Sequence, residues 1–344
     1  MNKLTFFYRH PHSTYFSIEK LFKKIANEIE TNHSKAFIVE KKYLPFTSKM
    51  NTIFPNFCFA KKNQGSINHI TGDVHYAILG CNKKNINVLT IHDCVALHKY
   101  SKLNPKHWFI KLLWYNLPVK KADVITVISE NTKKEIVKAT HCKEDKIKVI
   151  SNFVDPLFQF AESDFNNNEP SILFIGTTPN KNLERLIDAL QGIPARLQII
   201  GPLHDAQIKK LQDNKINYSK FEKLSDQELL QKYQQCDMLA FPSTYEGFGL
   251  PVVEAQAVGR PVLTSDASPM REVAGRGACL IDPFDPLSIR TGLLKIINDA
   301  AYREQIIKEG LKNVQRFRLD TIVNEYVTVY NELLSRKNVS QNQY

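Results

Sequence analysis

The sequence predicts an α/β protein of two domains, each a parallel sheet covered by helices. Three observations predict it. Short apolar runs alternate with segments of helical period along the chain. A polar stretch, residues 153–171, interrupts that alternation, which then restarts. The length of 344 residues is enough for two cores of ordinary size.

LTFFY (Leu4–Tyr8) reads as the first strand. In SIEKLFKKIANEIE, which follows from Ser17, the residues Ile18, Leu21, Phe22, Ile25 and Ile29 keep helical spacing, and Ser17 is suited to cap the helix. INHIT (67–71), INVLTIHD (86–93) and DVITVIS (123–129) read as buried strands. ENTKKEIVKAT then reads as a short helix and KIKVISN (146–152) as another strand. Such alternation implies right-handed crossovers and a parallel sheet over residues 1–155. FVDPLFQFAESDFNNNEPS (153–171) has two prolines, the run Asn166–Asn168 and no period, and residues 156–170 read as a linker.

The second domain, 171–318, opens with the strand SILFIG (171–176) and a helix from Asn180 or Lys181. RLQIIG (196–201), a helix around DAQIKKLQDN and the helix SDQELLQKYQQ (225–235) follow. DMLAFPS (237–243) is the next strand, then a helix from about Leu250 and the strand RPVLTS (260–265). LDTIVNEYVTVYNELL (319–334) closes the pattern as a helix. Two such halves leave a cleft, and in open parallel sheets ligands bind beyond the carboxyl ends of the strands.

Composition excludes several classes. Hydrophobic content of 43% and charged content of 24% are those of a soluble globular protein. The six cysteines are scattered, with no C-x-x-C pair, which argues against a zinc site or disulfide framework and fits a reducing cytoplasm. MNKLTFFYRHPHS holds too short an apolar run for a signal peptide, and nothing approaches the ~18 apolar residues of a membrane span. Charge is uneven. Residues 1–150 carry 25 Lys and Arg against 11 Asp and Glu, a net +14, while residues 151–344 carry 21 against 24, a net −3. A basic half suggests an anionic partner: nucleic acid, a phospholipid surface or a phosphorylated ligand.

Two segments carry candidate chemistry. SILFIGTTPNKN places Gly176 at a strand end, where the backbone can turn close to a ligand, with a helix N-terminus and Lys181 ready for an anion. The spacing is neither G-x-G-x-x-G nor a P-loop. FPSTYEGFGLPVVEAQAVG repeats that geometry. Gly247 and Gly249 permit positive φ, Pro251 suits a first helical turn, and Glu254 falls about one turn inside the helix. A carboxylate there suits a ribose diol, as in dinucleotide folds. Glu246, before the glycines, sits nearer to whatever extends from the phosphate.

FPSTYEGFGLPVVEAQAVGRPVLTS resembles the retaining glycosyltransferases of family 4, whose E-x7-E motif it contains as Glu246 and Glu254. FIGTTPNKNLERLIDAL, LSDQELLQKYQQCDMLAFPS, VISNFVDPLF, HITGDVHY and TIHD support the resemblance, which covers about 67–335. It implies the GT-B fold, two Rossmann-like domains facing across a cleft, with a C-terminal helix (about 319–336) crossing back to the first. It implies a UDP- or GDP-sugar donor in the second domain. By the resemblance Glu254 holds the ribose, Glu246 with Phe248 and Gly249 contacts the sugar, and Lys181 holds the diphosphate. Gly176, Thr177, Thr178, Gly247 and Leu250 complete the donor-binding set. Many family members place an arginine just after the strand's glycine; Thr177 and Thr178 stand there instead, and Arg9 is a candidate substitute. His92 and Asp93 match the family's histidine–aspartate pair, with His92 on the transferred sugar. Glu246, His92 and Lys181 are then the catalytic candidates.

No D-x-D sequence is present to carry a metal, so a metal-independent reaction with no cofactor is expected, with Lys181, backbone N–H groups and a helix dipole meeting the leaving charge. The implied acceptor is a glycan or lipid-linked molecule of bacterial surface polysaccharide assembly. Lys20, Lys23 and Lys24 share a helix with an apolar stripe, and KYSKLNPKHWFIKLLWYNLPVKK (99–121) mixes lysines with Trp108, Phe109, Trp114 and Tyr115. Such segments suit an anionic membrane surface, unless the tryptophans are core. Two alternatives are a non-catalytic nucleotide-sugar binder and a basic nucleic-acid-binding protein. Against the latter, no RNA- or DNA-binding signature is present, and the glycine–carboxylate motifs lie in the acidic half.

Overall fold

The computed structural model describes residues 1–11, 17–98, 100, 101 and 103–341. It comprises two units, Met1–Phe153 with the chain from Leu319 onward, and Val154–Arg318.

The first unit holds a six-stranded sheet built from β1 (Asn2–Tyr8), β2 (Phe37–Tyr43), β3 (Ile67–Ile70), β4 (Ile86–Ile91), β5 (Val124–Val127) and β6 (Ile147–Val149). Its order is β2-β1-β3-β4-β5-β6, all parallel. Every residue of β3, β4 and β5 is buried, which is why these strands are near-continuous apolar runs in the sequence. β2 escapes that pattern. It is an edge strand, only Phe37 is fully buried, and Lys41 and Lys42 lie on it as charges that discourage further pairing.

The helix Ser17–Asn32 starts at the residue read as its cap; the Ser17 side chain and residues 12–16 lie outside the described residues. Its stripe of Phe22, Ile25 and Ile29 is core, sharing one cluster with Leu4 and Phe6 of β1 and with Ile322, Val323, Tyr326 and Tyr330. Those last four belong to the helix Leu319–Gln341, longer than its sequence pattern and part of the first unit. Burying each such side chain contributes about 1.5–3 kcal/mol. A polar ladder crosses the same core. His69 on β3 is fully buried between Tyr330 Oη (2.7 Å) and Thr90 Oγ1 (2.7 Å), and Thr90 meets Thr126 Oγ1 at 2.6 Å.

The second unit repeats the architecture with β7 (Ser171–Ile175), β8 (Arg196–Ile200), β9 (Asn217–Phe221), β10 (Met238–Phe241), β11 (Val262–Ser265) and β12 (Cys279–Ile281). The order is β12-β11-β10-β7-β8-β9, again parallel. β9 (NYSKF) and β12 are edge strands, the first polar and the second three residues long, so neither announces itself in the sequence. From β7 the chain winds first toward β9 and then returns to β10 and β12, so the order reverses between β7 and β10. The predicted linker has neither helix nor strand, yet it is pinned to this unit. The buried Arg260 donates to Ala161 O (2.8 Å), and Phe158 packs edge-on against Tyr233 at 5.4 Å. Among the described residues no helix is long and apolar enough to cross a membrane.

Burial holds His69 neutral, pushing it from the usual 6.5 down to about 3, and lowers His75 to about 4 for the same reason. In the unfolded chain both take protons near pH 6.5. Acid therefore favours unfolding: the stability conferred by the neutral rings is intact above that pH and is lost progressively as pH falls toward 4 and 3. Urea midpoints of the whole chain should drop between about pH 6.5 and 4, and His69→Gln should lessen the drop. An identical pH slope in that variant would refute the assignment.

Candidate active site

The reversal between β7 and β10 puts two loops side by side at the carboxyl ends of neighbouring strands, where α/β sheets bind ligands. After β7, Gly176 turns the chain with φ 88°, a conformation open to glycine. A Cβ there would stand 2.8 Å from Lys181 Cε, so the bare backbone is the floor on which the lysine stem lies. The expected helix opens later than its sequence suggests. Pro179–Lys181 is a 3₁₀ turn, Asn182 is left-handed (φ 70°), and the α-helix is Leu183–Leu190. Buried Asn182 donates to Pro242 O (2.9 Å) and Pro283 O (2.6 Å), tying the turn to the loops beyond β10 and β12.

The loop after β10 carries Glu246. Thr244 N donates to Asn180 O (2.8 Å) and Asn180 Nδ2 to Tyr245 O (2.9 Å), so the two loops are stapled by backbone and side chain together. Lys181 Nζ then meets Glu246 Oε1 at 2.6 Å, with exposures of 19% and 14%, and stands 4.7 Å from the centre of the Phe241 ring. Gly249, at φ 107°, caps the helix Leu250–Val258, with Pro251 in its first turn and Glu254 its fifth residue. Leu250, half-buried, opens that helix, and Gly247 sits in the bend before it. Phe248 is buried edge-on against Phe317 at 5.6 Å, so its side chain is core and only its backbone remains for a ligand.

Glu254 is oriented by a residue that sequence reasoning passed over. Tyr233 Oη donates to Glu254 Oε2 at 2.7 Å. Tyr233 is fully buried, and burial, reinforced by the Glu254 charge, drives its hydroxyl far above the ordinary range, fixing it as a donor. Its only sequence signal is the helical spacing of Leu230 and Tyr233, which reads as core. Arg260, from the GRPV end of the motif, donates to Tyr233 O (3.0 Å) and Gln234 O (2.8 Å) and so braces the helix that carries the tyrosine.

The threonines in place of an arginine are engaged locally. Thr177 is buried, bonds Pro202 O, and accepts from Gln207 Nε2 through its carbonyl (3.1 Å); Thr178 donates to Asn180 Oδ1 (2.8 Å). Arg9, the candidate substitute, lies in the first unit. Its guanidinium forms a two-pronged pair with Glu19 at 2.9 and 2.5 Å, with Asp73 3.7 Å away. Its charge is thus matched by Glu19 where it stands, as that of Lys181 is by Glu246.

His92 and Asp93 follow β4 and line a cavity of about 610 Å³ at the carboxyl edge of the first sheet, together with Arg9, His75 and Trp114. His92 Nε2 lies 2.8 Å from Thr71 O, so Nε2 carries the proton and donates. Burial lowers the ring's pKa, keeping it neutral. Asp93 Oδ1 accepts from Val95 N (3.0 Å) and caps the short helix Val95–His98. His75 and Trp114 were not foreseen. They lock together as His75 Nδ1 meets Trp114 O (2.8 Å) and Trp114 Nε1 donates to Asp73 O (2.6 Å).

Residues 157–313 match the family described as glycosyl transferases group 1, and residues 67–157 match glycosyltransferase family 4. A glycosyltransferase of Methanocaldococcus jannaschii is 30% identical over 247 residues, 64% of this chain and 63% of that protein. The serotype-specific mannosyltransferase WbdA of Escherichia coli is 28% identical over 224 residues, 58% of this chain and 27% of its own length. The chain thus spans less than two thirds of these relatives. Anabaena HepE, solved in complex with UDP and glucose, superimposes with a TM-score of 0.77 over 96% of this chain and 100% of its own, at 17% identity. That likeness and the two parallel sheets establish the GT-B fold. Matched end to end from residue 67 to residue 313, more than half its length, the chain belongs to the group 1, family 4 glycosyltransferases.

Proposed function

We propose that this chain is a retaining glycosyltransferase. It takes a sugar from a nucleotide-sugar donor bound in the second unit and passes it to a glycan or lipid-linked acceptor of bacterial surface polysaccharide assembly. The observation that carries the reading is Lys181 beside Glu246 at the reversal of strand order, with Glu254 oriented by Tyr233. WbdA, a mannosyltransferase, and HepE, solved with UDP and glucose, favour a UDP- or GDP-sugar.

Each residue then has a task. Lys181 takes the diphosphate and holds the charge that develops on it as the glycosidic bond breaks, a role worth roughly 2.7–4 kcal/mol for one such donor. Glu254 accepts from the ribose hydroxyls. Glu246 turns from the lysine to the sugar, with Gly249 N–H nearby. The acceptor hydroxyl attacks the anomeric carbon on the face the leaving phosphate departs from; its proton passes to that phosphate, and the anomeric configuration is retained. His92, neutral and donating through Nε2 to Thr71, keeps Nδ1 as an acceptor on the acceptor-side cavity. No metal ion or cofactor is assigned a role, so activity should survive chelation by EDTA.

Attachment to an anionic membrane surface belongs to the same reading. Trp108 is 55% exposed, Leu112 48% and Leu103 94%, with Lys111 5.5 Å from the Trp108 ring. Trp114, Tyr115 and the apolar stripe of the helix that carries Lys20, Lys23 and Lys24 are engaged with the unit's own core, while Trp108, Leu112 and Leu117 of the segment are exposed. Lys99 and Lys102 lie outside the described residues.

Screening UDP-, GDP- and ADP-sugars for thermal stabilisation and turnover tests the function, since ligand at 100 times its Kd adds about 2.7 kcal/mol. No stabilisation by any donor would sink it, and binding without turnover would identify a non-catalytic binder. Glu254→Ala should weaken donor binding, and Tyr233→Phe, which removes one bond to a charged group, should weaken it about tenfold with kcat nearly unchanged. Wild-type donor affinity in Glu254→Ala would refute the ribose assignment. Lys181→Ala should cost roughly 10²–10³ in kcat, whereas Glu246→Ala should slow transfer with little change in donor affinity. In co-sedimentation with phosphatidylglycerol vesicles at low salt, Trp108→Ala with Leu112→Ala should reduce binding. Absence of binding by the unaltered chain would rule out the membrane role.

A further inference from the structure

The basic excess of the first half is not absorbed by the donor site, which lies in the other unit. Part of it converges on a cavity of about 990 Å³ at the amino edge of the first sheet, where β5 and β6 begin and the helices Leu117–Lys121 and Glu130–Thr140 end. Six lysines line it: Lys83, Lys120, Lys121, Lys143, Lys146 and Lys148. Arg336 joins them from the C-terminal helix, and the lining carboxylates are Asp123, Asp145 and Glu332. Two of these acids are already committed. Glu332 is shared, at 3.9 Å each, by Lys148 and Arg336. Asp123 accepts from Asn87 N at 2.7 Å, and burial raises its pKa.

An ordinary role exists for some of the cations. Lys120 and Lys121 end a helix, where a positive charge complements the dipole, and Lys146 Nζ donates to Lys120 O at 3.2 Å. That role does not extend to Lys83, which precedes β4 in a loop. Nor does it explain the crowding: Lys121 is depressed by burial and by the neighbouring Lys83 charge, although Asp123 opposes the shift. Lys83, Lys120, Lys143 and Lys148 are exposed and Lys121 and Lys146 half-buried, so their ammonium groups repel one another through partly screened solvent, and an anion entering the concavity meets several of them at once. A concave site around several ammonium groups suits a compact anion of several charges better than a flat surface.

We infer that this cavity is a second binding site, for a compact ligand bearing two or more phosphate groups. The same chemistry occurs in a free polyphosphorylated molecule and in a lipid headgroup with two phosphates, such as that of cardiolipin. Within the unit it lies at the far end of β4 from His92, about 17–20 Å along a strand of six residues.

Calorimetric titration with inorganic tripolyphosphate at low ionic strength tests the inference on the full chain carrying Lys181→Ala, so that the donor-site cation cannot contribute. Adding Lys83→Gln, Lys121→Gln and Lys143→Gln should weaken binding at least about tenfold, whereas arginine at the same three positions should retain it. Unchanged affinity in the glutamine variant, or loss of all binding through Lys181→Ala alone, would overturn the site. The glutamine triple in an otherwise unaltered chain should keep donor affinity; a parallel fall would merge this cavity with the donor site and refute a separate one. Vesicles containing cardiolipin, whose headgroup bears two phosphates, offered to chains with Trp108→Ala and Leu112→Ala, identify the source. Vesicle binding that falls with the glutamine triple supports a headgroup, and tripolyphosphate binding with unaltered vesicle binding supports a soluble ligand.

Discussion

The second unit depends on the parallel pairing of β7 with β10, strands separated by more than sixty residues of chain but adjacent in the sheet. Their carboxyl ends stop side by side, so the loops that follow must share one surface. Asn180, Thr244 and Tyr245 fasten those loops together, and only then does Lys181 reach Glu246 at 2.6 Å. The ion pair is a consequence of topology: neither loop could position its charge alone. It also keeps the lysine extended over Gly176 instead of free in solvent, which lowers the entropy that an anion must overcome to capture it.

Around that pair, residues with no contact to any proposed ligand fix the remaining geometry. Phe158 packs on the ring of Tyr233, Arg260 grips the two carbonyls at the end of the tyrosine's helix, and the tyrosine hydroxyl orients Glu254. The segment 153–170 is therefore more than a tether between units. It contributes a wall to the core behind Glu254, and Arg260 Nη1 holds it by Ala161 O.

What was legible in the sequence follows a physical rule. Central strands are buried on both faces, so β3, β4, β5, β7 and β10 stand out as apolar runs; the edge strands β2 and β9, half solvated, do not. Candidate site residues stand out in the sequence where local backbone demands coincide with charge, as at Gly176, Lys181, Glu246, Gly249 and Glu254. Tyr233 and Asn180 do not, because their partners are fixed by tertiary packing and their own neighbourhoods look like core and turn. Trp108 and Trp114, six residues apart on one basic segment, could not be separated by composition. The structure exposes the first and ties the second to Asp73 O.

Charge distribution constrains function beyond the individual sites. Residues 154–318 carry 19 Lys and Arg against 21 Asp and Glu, a net −2, so the unit that holds Lys181 and Glu246 does not attract a diphosphate by its overall field. On the proposed function, recognition there rests on short-range groups, Lys181 and the N–H groups of two glycine turns, in a partly buried setting where they are screened little. The cations of the first unit's cavity are likewise short-range in their effect. They sit at the amino edge of their sheet, about 17–20 Å from its carboxyl edge, against a Debye length of about 8 Å at physiological salt. Screened over that distance, they act only on what enters their own cavity. A charge excess gathered at the amino edge of the sheet is therefore better explained by a ligand of its own than by attraction acting at long range.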